Sequence, residues 1–235
     1  MRRRPTLGSG RRAVALAAVV AALGLAGCGA APSASTVATA TPRASAQPSG
    51  PGPVVTPLPP GAFTFDLPAG WVAVPIAGSH DALLATLRSQ NAAFAESLAA
   101  RLDNLSDTTT YVALDASPGA VAKGELVTLI VTEVALPLDV SLQTFATTIQ
   151  GQVKQLVEGD VELRKILVTA GQAYSMAYTA PVTRSDGKPA AAAVTQVLYV
   201  VPGRGYVMTF AVPPARANDY AQAVAEIATS FTIRI

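Results

Sequence analysis

Apolar and polar positions repeat with two different periods along this chain, and the switches between them mark out its elements. Phe63-Thr64-Phe65-Asp66 alternates as a short strand, and Leu67-Pro68-Ala69-Gly70 has turn chemistry. Trp71-Val72-Ala73-Val74 then continues as a second strand before Pro75, with Trp71 directed to the core. Helical spacing follows. Leu84, Leu87, Asn91, Phe94, Leu98, Leu102 and Leu105 predict one amphipathic helix over about 80–104, interrupted on its stripe by Asn91. Ser79 is its expected N-cap, and Asp81 in the first turn favours the helix dipole. Thr109 to Leu114 and Glu125 to Leu136 read as strands, with Ala116-Ser117-Pro118-Gly119 as a loop between them. Asp139 or Ser141 caps a second helix, in which Leu142, Phe145, Ile149, Val153 and Leu156 share a face and Gly159 fits the C′ position.

Four strands in antiparallel style come next, at 161–168, 172–182, 191–201 and 206–213. Their turn signals are Ala170-Gly171, Arg184-Ser185-Asp186-Gly187 and Pro202-Gly203-Arg204-Gly205. Whether the last loop has two residues or four, Tyr199 pairs with Tyr206 or Met208. Either register puts Val197, Tyr199, Val201, Tyr206, Met208 and Phe210 on one face, and Leu198, Val200, Val207 and Ala211 on the other. Both faces are apolar, so both need cover. The early helices are expected over one face and a closing helix at about 214–229 over the other, before a last strand at Phe231 to Ile235. The fold class is α+β, an antiparallel sheet flanked by helices, without internal repeats.

Upstream of Gly61 the pattern changes character. Arg2, Arg3, Arg4, Arg11 and Arg12 form a cationic region, followed by the uncharged run Ala13 to Gly24 and by Leu25-Ala26-Gly27-Cys28. This is the three-part export pattern ending in a lipobox. The run is well short of the roughly 20 residues of a membrane-spanning helix. The expectation is a signal peptide at 1–27 and lipid on Cys28, the only cysteine in the chain. The flanks of Arg11-Arg12 fit a twin-arginine signal poorly. Gly29 to Pro60 holds eight prolines, four serines, four threonines, no aromatic residue and one charge, Arg43. Such a stretch cannot offset its ordering entropy by apolar burial, so 28–60 reads as a tether reaching about 30 Å as a coil and about 100 Å stretched. The globular domain is 61–235. Five of the 17 basic residues belong to the signal, which leaves 12 against 15 acidic ones. Nothing in that balance resembles the basic stripe that nucleic acid selects. Gly29 after the cysteine directs a lipoprotein to the outer membrane of a diderm host, whereas a monoderm host keeps it on the outer surface of its cell membrane.

Several apolar motifs of the domain also resemble a known family. FTFDLPAGW, DVSLQTF, AGQAYSMAYTA, VTQVLYVVPGRGYVMTFAVP and IATSFTIRI look like the PsbP-like superfamily, closest in style to the mycobacterial LpqN-type lipoproteins. The resemblance implies an antiparallel sheet sandwiched by helices (α/β/α), a fold shared by an extrinsic subunit of photosystem II and a Ran-binding nuclear import factor. It implies assembly, docking or cofactor retention more than catalysis, and it brings no fixed site residue.

Candidate chemistry is sparse. GxSxG, Walker, GxGxxG and HExxH motifs do not occur. His80 is the only histidine, which excludes a site of several imidazoles. Ser79, His80 and Asp81 are adjacent and do not form a triad line, and capping accounts for Ser79 and Asp81. Glu158, Asp160 and Glu162 lack the EF-hand pattern and read as a solvated turn rather than a calcium site. Tyr174, Tyr178, Tyr199 and Tyr206 are the residues that would gather on the sheet and line an apolar cavity, against the plainer expectation of core and edge packing. The expected activity is therefore non-catalytic binding of a protein partner or apolar ligand at the membrane surface, without a cofactor. The alternative is a hydrolase using carboxylates.

Overall fold

The computed structural model describes residues 63–76, 79–183 and 189–233; the signal segment, Cys28, the tether and the turn Arg184 to Gly187 lie outside the described residues. Nine strands and five α-helices follow in the order β1 (Phe63–Thr64), β2 (Trp71–Val74), α1 (Asp81–Gln90), α2 (Ala92–Asp103), β3 (Thr109–Asp115), α3 (Pro118–Lys123), β4 (Thr128–Ala135), α4 (Leu142–Lys154), β5 (Arg164–Val168), β6 (Gly171–Thr183), β7 (Pro189–Val201), β8 (Arg204–Val212), α5 (Ala217–Ser230) and β9 (Thr232–Ile233) among the described residues. Seven strands form one sheet in the order β2-β3-β4-β8-β7-β6-β5, and every neighbouring pair is antiparallel. β1 and β9 pair separately as a two-stranded ribbon. Among the described residues no helix is long and apolar enough to cross a membrane.

The β7–β8 hairpin shows why the layers stack as they do. Val201 faces Arg204 across a two-residue Pro202-Gly203 loop, so Tyr199 pairs with Tyr206. Gly203 takes φ +82, the conformation a Pro-Gly turn needs at its second position. Of the two registers open in the sequence, this turn chemistry selects the shorter loop. Val197, Tyr206, Met208 and Phe210 then form one core with Tyr220, Ile227 and Ala228 of α5 and with Phe63 and Phe231 beside the small ribbon. On the opposite face Leu198 and Val207 pack under Phe145, Ala146, Ile149 and Val153 of α4. Farther along that face, Val112, Leu114 and Ile130 lie under Leu87 of α1 and Phe94, Leu98 and Leu102 of α2. The expected division of cover holds, with α4 added to the early helices on their side. Thr128, Thr132, Gln196 and Thr209 share this face and are buried, and Gln196 Nε2 donates to Thr209 Oγ1 at 3.2 Å.

Local capping chemistry explains where the elements depart from expectation. The single helix over 80–104 is two helices. Asn91 breaks it at φ −154, accepts from Phe94 N at 3.1 Å through Oδ1, and donates to Val121 O at 2.8 Å through Nδ2. A short polar side chain offers the backbone this alternative to helix, which a stripe of leucines does not reveal. His80, not Ser79, occupies the N-cap position of α1, while Ser79 Oγ accepts from Asp81 N at 3.1 Å. The expected loop at Ala116–Gly119 contains the start of α3, where Ser117 accepts from Ala120 N and Pro118 begins the helix. Ser141 rather than Asp139 caps α4, accepting from Thr144 N at 3.1 Å. That helix ends at Lys154, so Gly159 is not its C′ residue and Leu156 is 48% exposed instead of sharing the buried face.

α4 approaches β8 at Gly205. A Cβ there would lie 2.7 Å from Phe145 Cζ and 3.0 Å from Leu136 Cδ1. Gly205→Ala is therefore expected to push the buried Phe145 ring aside and lower stability by about 1–3 kcal/mol. Urea denaturation of the variant checks this, and an unchanged midpoint would contradict so close a contact.

Candidate functional site

The four tyrosines singled out from the sequence do not gather. Tyr199 and Tyr206 lie on the α5 face of the sheet, whereas Tyr174 and Tyr178 belong to the core beneath α4. Tyr206 is fully buried, with its ring 5.7 Å from Phe63 and 6.0 Å from Phe231. The Tyr199 hydroxyl donates to Ala170 O. Instead of lining a cavity, these two tyrosines join Phe63, Phe65, Tyr111 and Phe231 in a packed aromatic cluster, in which Phe65 and Tyr111 meet edge to face at 4.9 Å. Burial pushes the Tyr111 phenol up to about 12 and raises Tyr178, Tyr199, Tyr206 and Tyr220 as well.

Carboxylates converge with a tyrosine and an arginine at the start of α5. The Tyr220 hydroxyl donates to Asp115 Oδ2 at 2.6 Å, and Asp115 Oδ1 accepts from Ser117 N at 2.8 Å. Arg216 donates to Glu125, bonds Asp219 Oδ2 at 2.5 Å through Nε, and lies 5.5 Å from the centre of the Tyr220 ring. Trp71 meets that ring edge-on at 6.5 Å and is buried, as expected. Residues about a hundred positions apart build this cluster, so no local motif announces it. Its chemistry is that of a clamp. Both Asp115 oxygens are held, and Glu125 and Asp219 share one guanidinium, so the arrangement fastens α5 to the end of β3. The other polar candidates are dispersed. Ser79 Oγ donates to Asp81 Oδ2 at 2.5 Å beside His80. Glu158, Asp160 and Glu162 are exposed, with Glu162 3.2 Å from Arg164. Among the described residues no three His, Cys, Asp or Glu side chains are placed to hold one metal ion.

The sheet's edges offer a different kind of site. β2 is four residues long and is followed by Pro75, so it presents little backbone to a partner. β5 covers β6 only as far as Ser175, and the uncovered part of β6 carries Pro181, which has no N–H to donate. β5 itself is the edge left for pairing. Its Leu167 is 74% exposed on the α4 side of the sheet, opposite Gln172, while Lys165 lies opposite Tyr174. Arg164 and Lys165 are both exposed and guard the first half of the strand. A leucine on an open edge has no such guard.

No protein-family model and no curated protein sequence matches the chain. It is similar in structure to LpqN of Mycobacterium tuberculosis, described as involved in cell envelope biogenesis, at 14% identity over 75% of this chain and 87% of that one, with a TM-score of 0.46. It is also similar to the cyanobacterial PsbP of Synechocystis sp. PCC 6803, at 16% identity over 80% and 99%, with a TM-score of 0.43. A third is the Ran-binding protein Mog1p of Saccharomyces cerevisiae, at 15% identity over 73% and 90%, with a TM-score of 0.42. No residue role is carried across at these identities.

Two measurements test the buried phenols. Tyrosines in the unfolded chain ionise near 10, whereas Tyr111 keeps its proton to about 12. Between those values the unfolded state binds fewer protons than the folded one, so stability falls as pH rises past about 10. Urea midpoints at about pH 9 and about pH 11 should differ, and Tyr111→Phe should reduce the difference while the other raised phenols retain part of it; an equally steep loss in that variant would remove Tyr111 from the account. Tyr220→Phe, which takes the donor from Asp115, should cost about 1.5–3 kcal/mol, the range for a hydrogen bond to a charged group, and equal stability would show the clamp to be idle.

Proposed function

We propose that this protein is an extracytoplasmic lipoprotein held to its membrane through Cys28, with a non-catalytic domain that docks an extended segment of a protein partner along β5. The observation that carries the docking reading is Leu167, 74% exposed on the edge strand of a seven-stranded sheet. An open edge supplies backbone N–H and C=O groups to an added strand, and alternate side chains supply the selectivity. Leu167 offers apolar contact on the α4 side, and the exposed Lys165 favours an acidic neighbour. A partner segment that alternates apolar and acidic residues suits both. The Asp115–Tyr220 and Arg216–Glu125 pairs support a structural use of the carboxylates over a hydrolytic one.

A photoreactive residue at position 167, introduced in the native host, should crosslink one partner by a segment that Leu167→Asp in the otherwise unaltered protein no longer retains. Crosslinking unaffected by blocking this edge would refute the docking surface. For the anchor, Cys28→Ala should accumulate as unprocessed, unacylated precursor, and normal processing of that variant would refute lipidation. Hydrolysis by the purified protein that Asp115→Asn or Glu125→Gln abolishes, with the thermal midpoint unchanged, would replace the binding reading with an enzymatic one.

A further inference from the structure

Two loops at one end of the sheet form an apolar knob. Leu138, between β4 and α4, is 81% exposed, more than the other exposed large apolar side chains among the described residues. Pro137 beside it and Pro202 in the β7–β8 turn are exposed too. The two loops are joined. Leu136 N donates to Gly203 O at 2.9 Å, and Leu138 Cδ2 lies 3.5 Å from where a Gly203 Cβ would be. The tip therefore presents its apolar surface on a braced backbone. Charge adjoins it: Arg204, next to Gly203, pairs with Glu133 at 3.2 Å, and the exposed Asp139 follows Leu138.

The chain also enters the domain at this end. The Phe63 ring packs on Tyr206 and Phe231, and Phe231 O accepts from Ala170 N in the β5–β6 turn at 3.0 Å. That turn, the β7–β8 turn and the end of β4 lie at the same end of the sheet. Only residues 29–62 separate Phe63 from Cys28, a span of about 30 Å for a flexible coil. With lipid on Cys28, the knob is held at high local concentration above the bilayer that carries the lipid.

We propose that the Pro137-Leu138 and Pro202-Gly203 tip rests in the interfacial layer of that bilayer, orienting the domain with this end toward the membrane. The proposal rests on the anchoring reading. A small apolar tip flanked by charged side chains suits the boundary between headgroups and acyl chains, with the apolar residues inserted and the charges among the headgroups. The β5 edge is flat and lined with backbone groups, and it suits a strand instead. An end-on domain leaves that edge free at the side for a partner.

The test uses the full acylated protein, whose lipidated Cys28 presents no free thiol. Leu138→Cys carries a polarity-sensitive fluorophore; Pro202→Cys repeats the measurement with Leu138 in place. Ala122→Cys on α3, at the opposite end of the sheet, serves as the control. On vesicles of phosphatidylcholine and phosphatidylglycerol, labels at 138 and 202 should shift to the blue and lose most of their quenching by aqueous iodide, while the label at 122 behaves as in solution. Protein that floats with the vesicles but shows equal quenching at all three positions overturns the docking and leaves the anchor standing. Protein that does not float overturns both. Protection at 138 and 202 in native membranes but not on protein-free vesicles assigns the tip to a protein and overturns the bilayer proposal.

Discussion

A hairpin apolar on both faces cannot be satisfied by a single layer of cover, and β7–β8 imposes that demand on everything around it. Tyr206, Met208 and Phe210 point one way and Leu198 and Val207 the other, and all are buried. Placing these strands inside the sheet, with β4 on one side and β6 on the other, removes their edges from solvent. Helices must then close both faces. α4 meets the demand by coming close enough to β8 that the residue beneath Phe145 has no side chain. α5 meets it from the other side and is fixed by the polar clamp at Asp115 and Arg216, because its start lies near the sheet's margin where ionic groups keep partial contact with water. Hydrophobic demand thus sets the layers, and a few directional bonds set where each helix sits.

Much of this was legible in the residues. Runs rich in Val, Ile, Leu and Thr between Gly and Pro turn signals mark the strands of the sheet, and the twofold apolarity of the last hairpin calls for helices on both sides. What escaped was decided by side chains acting on backbone. Asn91 reads as a polar gap in a leucine stripe, yet its amide caps one helix and bonds Val121 O from a distant segment. Ser117-Pro118 reads as a turn, and the same two residues open α3. The tyrosines pack in the cores, as the plainer reading expects, and do not share one face. Tyr174 and Tyr199 share strand periodicity, but the register joining β6 to β7 puts them on opposite faces, and the intervening turn signal does not disclose that parity. The clamp was beyond reach, since Tyr220 and Asp115 are brought together only by the complete fold.

The helix-covered face is not one continuous core. Gln196, Thr209, Thr128 and Thr132 lie on the sheet where the apolar set under α4 gives way to the set under α1 and α2. Buried hydroxyls and an amide need specific partners where methyl groups need only volume. In that band the Gln196–Thr209 bond ties β7 to β8 through side chains as well as backbone. The band lies between the apolar set under α4 and the set under α1 and α2, and the sheet carries the continuity between them.

The pairing of β1 with β9 has a mechanical meaning. Phe63 faces Ile233 and Thr64 faces Thr232, so the first described strand is held by the last. The ribbon is joined to the seven-stranded sheet through rings, Phe63 lying 6.1 Å from Tyr111 and 5.7 Å from Tyr206. The Thr64–Thr232 hydroxyl bond of 2.6 Å and the stacked rings of Phe63 and Phe231 add side-chain contacts to that pairing. Two residues of pairing resist less than a full strand, so the buried rings of Phe63 and Phe231, packed on Tyr206, hold this end of the chain more than its backbone ladder does.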